Sequence, residues 1–155
     1  MTRINCKTPS TGRAVNLTMA NVPVVWTTLA EAPDFSVPDT SAVYPARDPL
    51  DINRAIRVGE IFFMTPIYVR NKSANACWVE ARLLREDGSI FECPGLMQIP
   101  SGDTAMVPMQ GRSLLKRNAS GVNGDMFQVR AQTAACLDIW GSGEEKPSAE
   151  HIGVF

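Results

Sequence analysis

Histidine is scarce in this sequence, which contains a single one, His151, in its last segment. A catalytic arrangement of the Ser-His-Asp or Cys-His type would have to be built around that residue, and no GxSxG motif accompanies it. The carboxylate pairs Glu86-Asp87 and Glu144-Glu145 fall in a turn and in a charged terminal segment, where acidic side chains are usually solvated. We therefore predict that the chain is not an enzyme and has no catalytic residues.

Other recognisable sites are missing as well. The 4 cysteines contain no CxxC pair, and with one histidine they match no zinc pattern. Phosphate-loop and calcium-loop motifs are absent, so the sequence predicts no metal and no cofactor. Basic side chains number 15 and acidic ones 16, whereas a duplex-binding domain normally has a basic excess. We therefore expect no nucleic-acid partner.

Long hydrophobic runs are also lacking. No apolar stretch approaches the roughly 20 residues that a membrane-spanning helix needs, so no membrane partner is expected. The segment 1–13, MTRINCKTPSTGR, has no apolar centre of the kind found in signal peptides, which argues against classical secretion. Cys77, Cys93 and Cys136 are then expected to act as small apolar residues within strands. Disulfides are the alternative if the chain matures outside a cell.

The sequence does contain a series of short runs with the alternation of β-strands. Its 155 residues are 45% apolar and 20% charged, which suits one domain with its own core. In ACWVEARLL, at 76–84, apolar and polar side chains alternate between two faces. Asp87-Gly88 follows and is typical of a tight hairpin turn, with IFEC at 90–93 as the returning strand. The same alternation recurs in MFQVRAQT at 126–133 and ACLDIW at 135–140.

About eight such strands follow one another at intervals of roughly 8–12 residues, which predicts an all-β chain folded as an antiparallel β-sandwich. VPVVWTTL at 22–29 is the expected first strand. Residues 1–20 are polar and aperiodic, and they predict an extended N-terminal arm. The sandwich domain is expected to span 21–143, including a proline-rich loop at 31–55 whose prolines exclude a regular helix. A charged C-terminal tail is expected at 144–155.

Four large aromatic residues are the candidates for contacts with other molecules. Trp78 and Trp140 fall on the phase opposite the aliphatic residues of their strands, so each is either exposed or buried against a second layer or another subunit. Burial at a subunit interface is favoured, because tryptophan is enriched at interface cores. Trp26 in the first strand and Phe155 at the apolar tip of the tail complete the set of candidate interface residues.

Three stretches of the sequence resemble small virion proteins of tailed bacteriophages. They are IYVRNKSANACWVEARLLREDGS, IPSGDTAMVPMQGRSLLKRN and GDMFQVRAQTAACLDIWGSGEE. They contain a strand ending in V-x-N-x-S, a turn I-P-x-G-D-T, a G-D-x-φ-x-V-R-A strand, and a last strand ending near Gly-Ser-x-Glu-Glu. The likeness covers about residues 60–145 and lies in strand and turn residues. It implies a β-sandwich module that forms part of a phage particle.

The resemblance implies a capsid cement or decoration protein, which stabilises the shell through contacts between subunits. A neck or tail component of the same particle is the alternative. The implied partners are the major capsid protein or neck and tail proteins, the chain itself is expected to be a homo-oligomer, and its location is the virion, assembled in the cytoplasm of the bacterial host. An alternative of another class is a carbohydrate-binding module for host surface recognition, which requires Trp78 or Trp140 to be exposed.

Overall fold

The computed structural model describes residues 13–32, 59–115 and 124–147, and its regular structure over these ranges consists of β-strands alone. The all-β class and the sandwich-like arrangement expected from the sequence are confirmed. All strand pairs are antiparallel and belong to three sheets. The strands are β1 Arg13–Asn16, β2 Thr27–Glu31, β3 Gly59–Phe63, β4 Ile67–Asn71, β5 Cys77–Leu84, β6 Ile90–Ile99, β7 Thr104–Val107, β8 Ser113–Leu115, β9 Met126–Ala131, β10 Leu137–Trp140 and β11 Ser142–Pro147.

Two of the sheets are successive halves of one long, bent layer. Their strand orders are β1-β11-β3-β8 and β10-β4-β7. Along the chain β3 leads into β4, β7 into β8 and β10 into β11, with only residues 64–66, residues 108–112 and Gly141 between them. The backbone after β1 runs beside β10, where the Met19 amide donates to the Ile139 carbonyl at 2.9 Å. Such interruptions divide long strands into short ones, which is why the described residues hold more than the eight strands expected.

Gly141 allows the close approach of two strands where this layer bends. A Cβ atom at this position would lie 2.5 Å from Cδ1 of Ile67 and 3.2 Å from the carbonyl oxygen of Pro66. The following amide, of Ser142, donates to the Thr65 hydroxyl at 2.9 Å. A side chain here would displace the buried Ile67 side chain and crowd the Pro66 carbonyl, so the bend favours glycine at this point of the sheet.

The second layer is the sheet β2-β9-β5-β6. Its central strand β5 alternates as predicted, with the residues at odd positions buried and those at even positions half-buried. The predicted hairpin joins β5 to β6: the Arg85 amide donates to the Ser89 carbonyl at 2.8 Å, and Gly88 has a φ of 86°. Hydrogen bonds from the hydroxyl and the amide of Ser89 hold the pKa of Asp87 below its ordinary value.

The core lies between the two layers. Phe63 of β3 and Phe127 of β9 are fully buried and meet edge to face, with ring centroids 5.9 Å apart and an interplanar angle of 76°. A disulfide joins Cys77 of β5 to Cys136, which directly precedes β10, and so cross-links the layers. This corrects the expectation of free thiols at both positions, since the alternation that buries each side chain also brings the two together. Cys93 is a buried free cysteine, as expected.

The sheet extends beyond both predicted ends of the sandwich domain, 21 and 143, because β1 and β11 are paired strands. The strand β1 lies inside the predicted arm, and β11 continues to Pro147, inside the predicted tail. They form a ladder in which Arg13 is opposite Glu145. No apolar alternation marks this pairing in the sequence, because a ladder of backbone hydrogen bonds does not need it. Residues 1–12 and 148–155 lie outside the described ranges.

Two further expectations concern residues 22–55. The first strand, expected at 22–29, is β2 and begins only at Thr27, because the preceding residues run irregularly past Pro23, whose carbonyl accepts a hydrogen bond from the Ala131 amide. The predicted proline-rich loop falls almost wholly on residues 33–58, which the described ranges do not include.

Asn71 is fully buried and fixes the turn between β4 and β5. Its side-chain nitrogen donates to the carbonyls of Asn75 at 2.8 Å and Ile99 at 3.0 Å. Its side-chain oxygen accepts from the amide of Ser73 at 2.9 Å and from the Ser73 hydroxyl at 2.7 Å. The buried amide is thus fully hydrogen-bonded, as the interior requires.

Asp125 is a second buried polar residue and joins three parts of the chain. One carboxylate oxygen accepts from the Glu86 amide at 3.0 Å. The other accepts from the Leu115 amide at 3.1 Å and from the Arg85 guanidinium at 2.9 Å. The carboxylate therefore ties the end of β5 and the end of β8 to the start of β9.

Candidate interaction surface

Trp26 and Trp78 lie on the outer face of the sheet β2-β9-β5-β6, where they contact arginines of the same face. The guanidinium carbon of Arg82 is 4.0 Å from the ring centroid of Trp26. That of Arg130 is 4.7 Å from Trp26 and 5.9 Å from Trp78, and Arg130 is itself held by Glu80 at 2.9 Å. Both indoles are half-buried and engaged within the chain by cation–π contacts. Their ring contacts within the chain are thus established, whereas their role at an interface stays a prediction.

Trp140 is arranged differently, on the outer face of the sheet β10-β4-β7. It stands opposite Tyr68, which stands opposite Met106, so that these three side chains cross every strand of the sheet. The Tyr68 and Trp140 rings are stacked, with centroids 5.8 Å apart and an interplanar angle of 20°. Trp140 is 39% exposed and Met106 53%. We call these three side chains the aromatic row.

A polar row runs beside the aromatic row, two residues away from it on each strand. It consists of Asp138, Arg70 and Thr104, which stand opposite one another. Asp138 accepts from the Asn21 amide at 2.9 Å and from Lys72 Nζ at 2.9 Å. The hydrogen bond from the Asn21 amide is the largest cause, followed by that from Lys72, of a pKa of Asp138 below its ordinary value. The aromatic row thus has a charged, hydrogen-bonded border on one side.

The two rows together have the composition of a protein contact site. Tryptophan, tyrosine, methionine and arginine are the residue types enriched at interfaces, and an apolar centre with a polar rim is their usual arrangement. Because neighbouring strands lie about 4.8 Å apart, the aromatic row is about 10 Å across. Such a surface offers apolar contact and hydrogen bonds to a partner.

The exposed apolar side chains of β6 are less continuous. Ile90, Phe91 and Leu96 of β6 are each at least half exposed. Glu92 and Pro94 separate the first two from the third, and the Arg112 guanidinium lies over the Phe91 ring at 5.8 Å. This strand therefore presents scattered apolar residues, which are common on protein surfaces.

The described part of the chain contains no candidate metal site and no candidate membrane-spanning helix. Within residues 13–32, 59–115 and 124–147, there is no group of three or more histidine, cysteine or acidic side chains that could hold a metal ion. Over the same ranges no helix is long and apolar enough to cross a membrane. His151 and the candidate interface residue Phe155 lie outside these ranges.

Strand phase placed both Trp78 and Trp140 on the outward face of their strands, but it could not separate them. The difference comes from their neighbours across the strands, which are Arg130 in one case and Tyr68 in the other. Sequence reasoning missed Tyr68 and Met106 as site residues. The outward phase of Tyr68 was visible in the run IYVR, but its pairing with Trp140 depends on a contact between distant parts of the chain.

Comparisons with known proteins add little to this surface. No family model matches the sequence, and no curated protein matches it. A solved structure of the infectious bursal disease virus Gt strain contains a chain that is 9% identical, with a TM-score of 0.20. The alignment covers 92% of this chain and 42% of the viral chain, so this chain spans less than half the length of the viral one. At this TM-score the similarity supports no argument about fold family or function.

Proposed function

We propose that this chain is a structural protein of a tailed-bacteriophage virion that binds neighbouring virion proteins through the aromatic row. The observation that carries the proposal is the cross-strand set of the exposed Trp140 and Met106 with the half-buried Tyr68 between them. Exposed apolar groups of this kind mark interaction sites on soluble proteins. The resemblance of residues 60–145 to small phage virion proteins supports a virion partner, and capsid cement or decoration is the position that we favour.

The polar border gives the proposed contact its orientation. Arg70 is exposed and lies between Asp138 and Thr104, while Lys72 pairs with Asp138. A partner that covers the aromatic row would bring its own polar groups against this border, where charged side chains set register more than affinity. A structural role of this kind requires only a stable module and a contact surface.

Co-sedimentation with isolated virion parts tests the proposal. The purified chain is mixed with capsid shells, and separately with necks and tails, of the phage whose genome encodes it. We expect the chain to pellet with shells, and Trp140→Ala to weaken binding by about 2 kcal/mol or more, as for an interface anchor. Leu96→Ala, which removes an exposed apolar side chain from the other layer, is the matched control. Binding to necks or tails instead would move the chain within the particle, and binding to no part would refute a virion role.

A carbohydrate-binding module for host surfaces is the second candidate, because Trp140 is exposed and stacked beside Tyr68. Sugar rings stack on exposed aromatic faces, and Arg70 and Asp138 would supply hydrogen bonds nearby. A glycan array probed with the purified chain separates the two functions. Glycan binding that Trp140→Ala abolishes, together with no association with virion parts, would favour the carbohydrate function.

A further inference from the structure

Met106, in the aromatic row, is the most exposed methionine among the described residues, at 53%. Met64 follows at 46%, whereas Met109 is fully buried although it lies only three residues beyond Met106. The remaining methionines of the described ranges are half-buried: Met19, Met97 and Met126. A thioether is oxidised where an oxidant reaches its sulfur, so the fold ranks these side chains by their susceptibility to oxidation.

The neighbours of Met106 make its sulfur a point where an added oxygen atom changes the surface. Tyr68 stands directly opposite on β4, while Thr104 and Arg70 lie on the same face, two residues away along β7 and β4. Diagonal neighbours of this kind are about 7–8 Å apart, within reach of a long side chain. The exposed Arg70 guanidinium can therefore reach an oxygen atom on this sulfur and donate a hydrogen bond to it.

We infer that Met106 is an oxidation site and that its oxidation by a peroxide disables the aromatic row as a contact surface. The sulfur attacks one oxygen of hydrogen peroxide, so that an S–O bond forms, the O–O bond breaks, and the second oxygen leaves as water. The thioether loses two electrons and becomes a sulfoxide, and the peroxide is reduced. The apolar end of the row is thereby replaced by a polar group.

The effect on binding rests on the proposed function of the aromatic row. A partner that fits an apolar row would have to bury the sulfoxide oxygen, and a polar group that is buried without a matching hydrogen bond opposes association. A bound partner would in turn keep peroxide away from the Met106 sulfur. Oxidation therefore acts on free copies of the chain and spares those already bound.

Peptide mass spectrometry after brief treatment with hydrogen peroxide locates the modified sulfur. We expect Met106 to be oxidised about tenfold faster than the buried Met109, with Met64 closest behind Met106. The urea midpoint of the chain oxidised at Met106 should equal that of the untreated chain, because this side chain is exposed. Oxidation of Met109 as fast as that of Met106 would overturn the inference.

Substitution separates Met106 from the other exposed sulfur. In a Met64→Leu background, Met106 is the remaining exposed methionine of the described residues, and adding Met106→Leu keeps the row apolar without a sulfur. On a hydrophobic interaction column, peroxide should move the Met64→Leu chain to elution at lower salt and leave the doubly substituted chain where it was. An equal shift of both chains would contradict the assignment to Met106.

Co-sedimentation with capsid shells measures the effect on binding. Peroxide should weaken the binding of the Met64→Leu chain about tenfold and leave that of the doubly substituted chain unchanged, and shells added before the peroxide should slow the oxidation of Met106. Undiminished binding after oxidation of Met106 would refute the inference and leave the proposed function standing. If the untreated chain binds no virion part, the proposed function fails, while the mass and column measurements still decide the oxidation site.

Discussion

At Asp125, the hydrogen bonds that a buried carboxylate accepts from backbone amides contribute to the free energy of unfolding. This contribution can be measured separately from that of the ion pair with Arg85. The two carboxylate oxygens accept from the amides of Glu86 and Leu115 and from the guanidinium of Arg85. Asp125→Ala removes all three acceptor contacts at once. The variant therefore tests whether the end of β5, the end of β8 and the start of β9 are stabilised by backbone hydrogen bonds to this side chain.

The expected loss of stability comes mainly from the amides of Glu86 and Leu115, which lose their acceptor. A donor that loses its acceptor inside a protein costs about 1–3 kcal/mol, and the lower half of that range applies to each because both bonds are only partly buried. The Arg85 side chain is 36% exposed, so its ion pair adds at most about 1 kcal/mol. Asp125→Ala should thus lower the free energy of unfolding by about 2–5 kcal/mol, a large share of the 5–15 kcal/mol typical of a domain.

Urea unfolding followed by circular dichroism measures the effect as a shift of the midpoint at constant slope. Arg85→Met removes the ion pair and keeps both amide contacts, so it should cost about 1 kcal/mol or less. Asp125→Asn keeps one acceptor oxygen and should fall between the two. The reasoning fails if Asp125→Ala is within about 1 kcal/mol of the parent chain, or if Arg85→Met is equally destabilising.

Three further outcomes are expected. Gly141→Ala should destabilise the chain by about 1–3 kcal/mol through overpacking at the bend, seen as a lower urea midpoint, whereas an unchanged midpoint would mean that the bend has room. Cys136→Ser, which breaks the disulfide to Cys77 across 59 residues of sequence, should cost about 2–4 kcal/mol, and adding a reductant should then leave the variant unaffected. Because its folded pKa is depressed, Asp138 contributes stability that is present above its unfolded pKa of about 3.9 and lost as the pH falls through the lower, folded value. Asp138→Asn should therefore be about 0.5 kcal/mol less stable than the parent near neutral pH, a difference that shrinks as the pH falls below about 3.9 and is gone below the folded pKa; a difference that stays constant through this fall would contradict it.

The strands that the sequence located are those with one buried face and one outward face. The alternation in β5 and β9 and the Asp87-Gly88 turn are local signals, and each corresponds to a strand or hairpin in the structure. The strands β1 and β11 carried no such signal. Their pairing is made by backbone groups of residues distant in sequence, which no local pattern encodes.

The same limit applies to the candidate surface. Phase analysis could place Trp140 on the outward side of its strand, but exposure depends on what packs above that side. The contrast with Trp78 arises because Arg130 reaches one indole and a stacked tyrosine reaches the other. The disulfide is a comparable case, since the choice of Cys77 and Cys136 among four cysteines depends on how the two layers face each other.

The pairing of β1 with β11 has a mechanical consequence. Because the two strands are antiparallel, with Arg13 opposite Glu145, the chain enters β1 and leaves β11 at the same end of the ladder. Tension applied through the flanking segments would load this ladder at that end and open its hydrogen bonds one after another, as a zipper opens. A pull of this kind would first separate β1 from β11, while the disulfide would keep residues 77–136 from being drawn out.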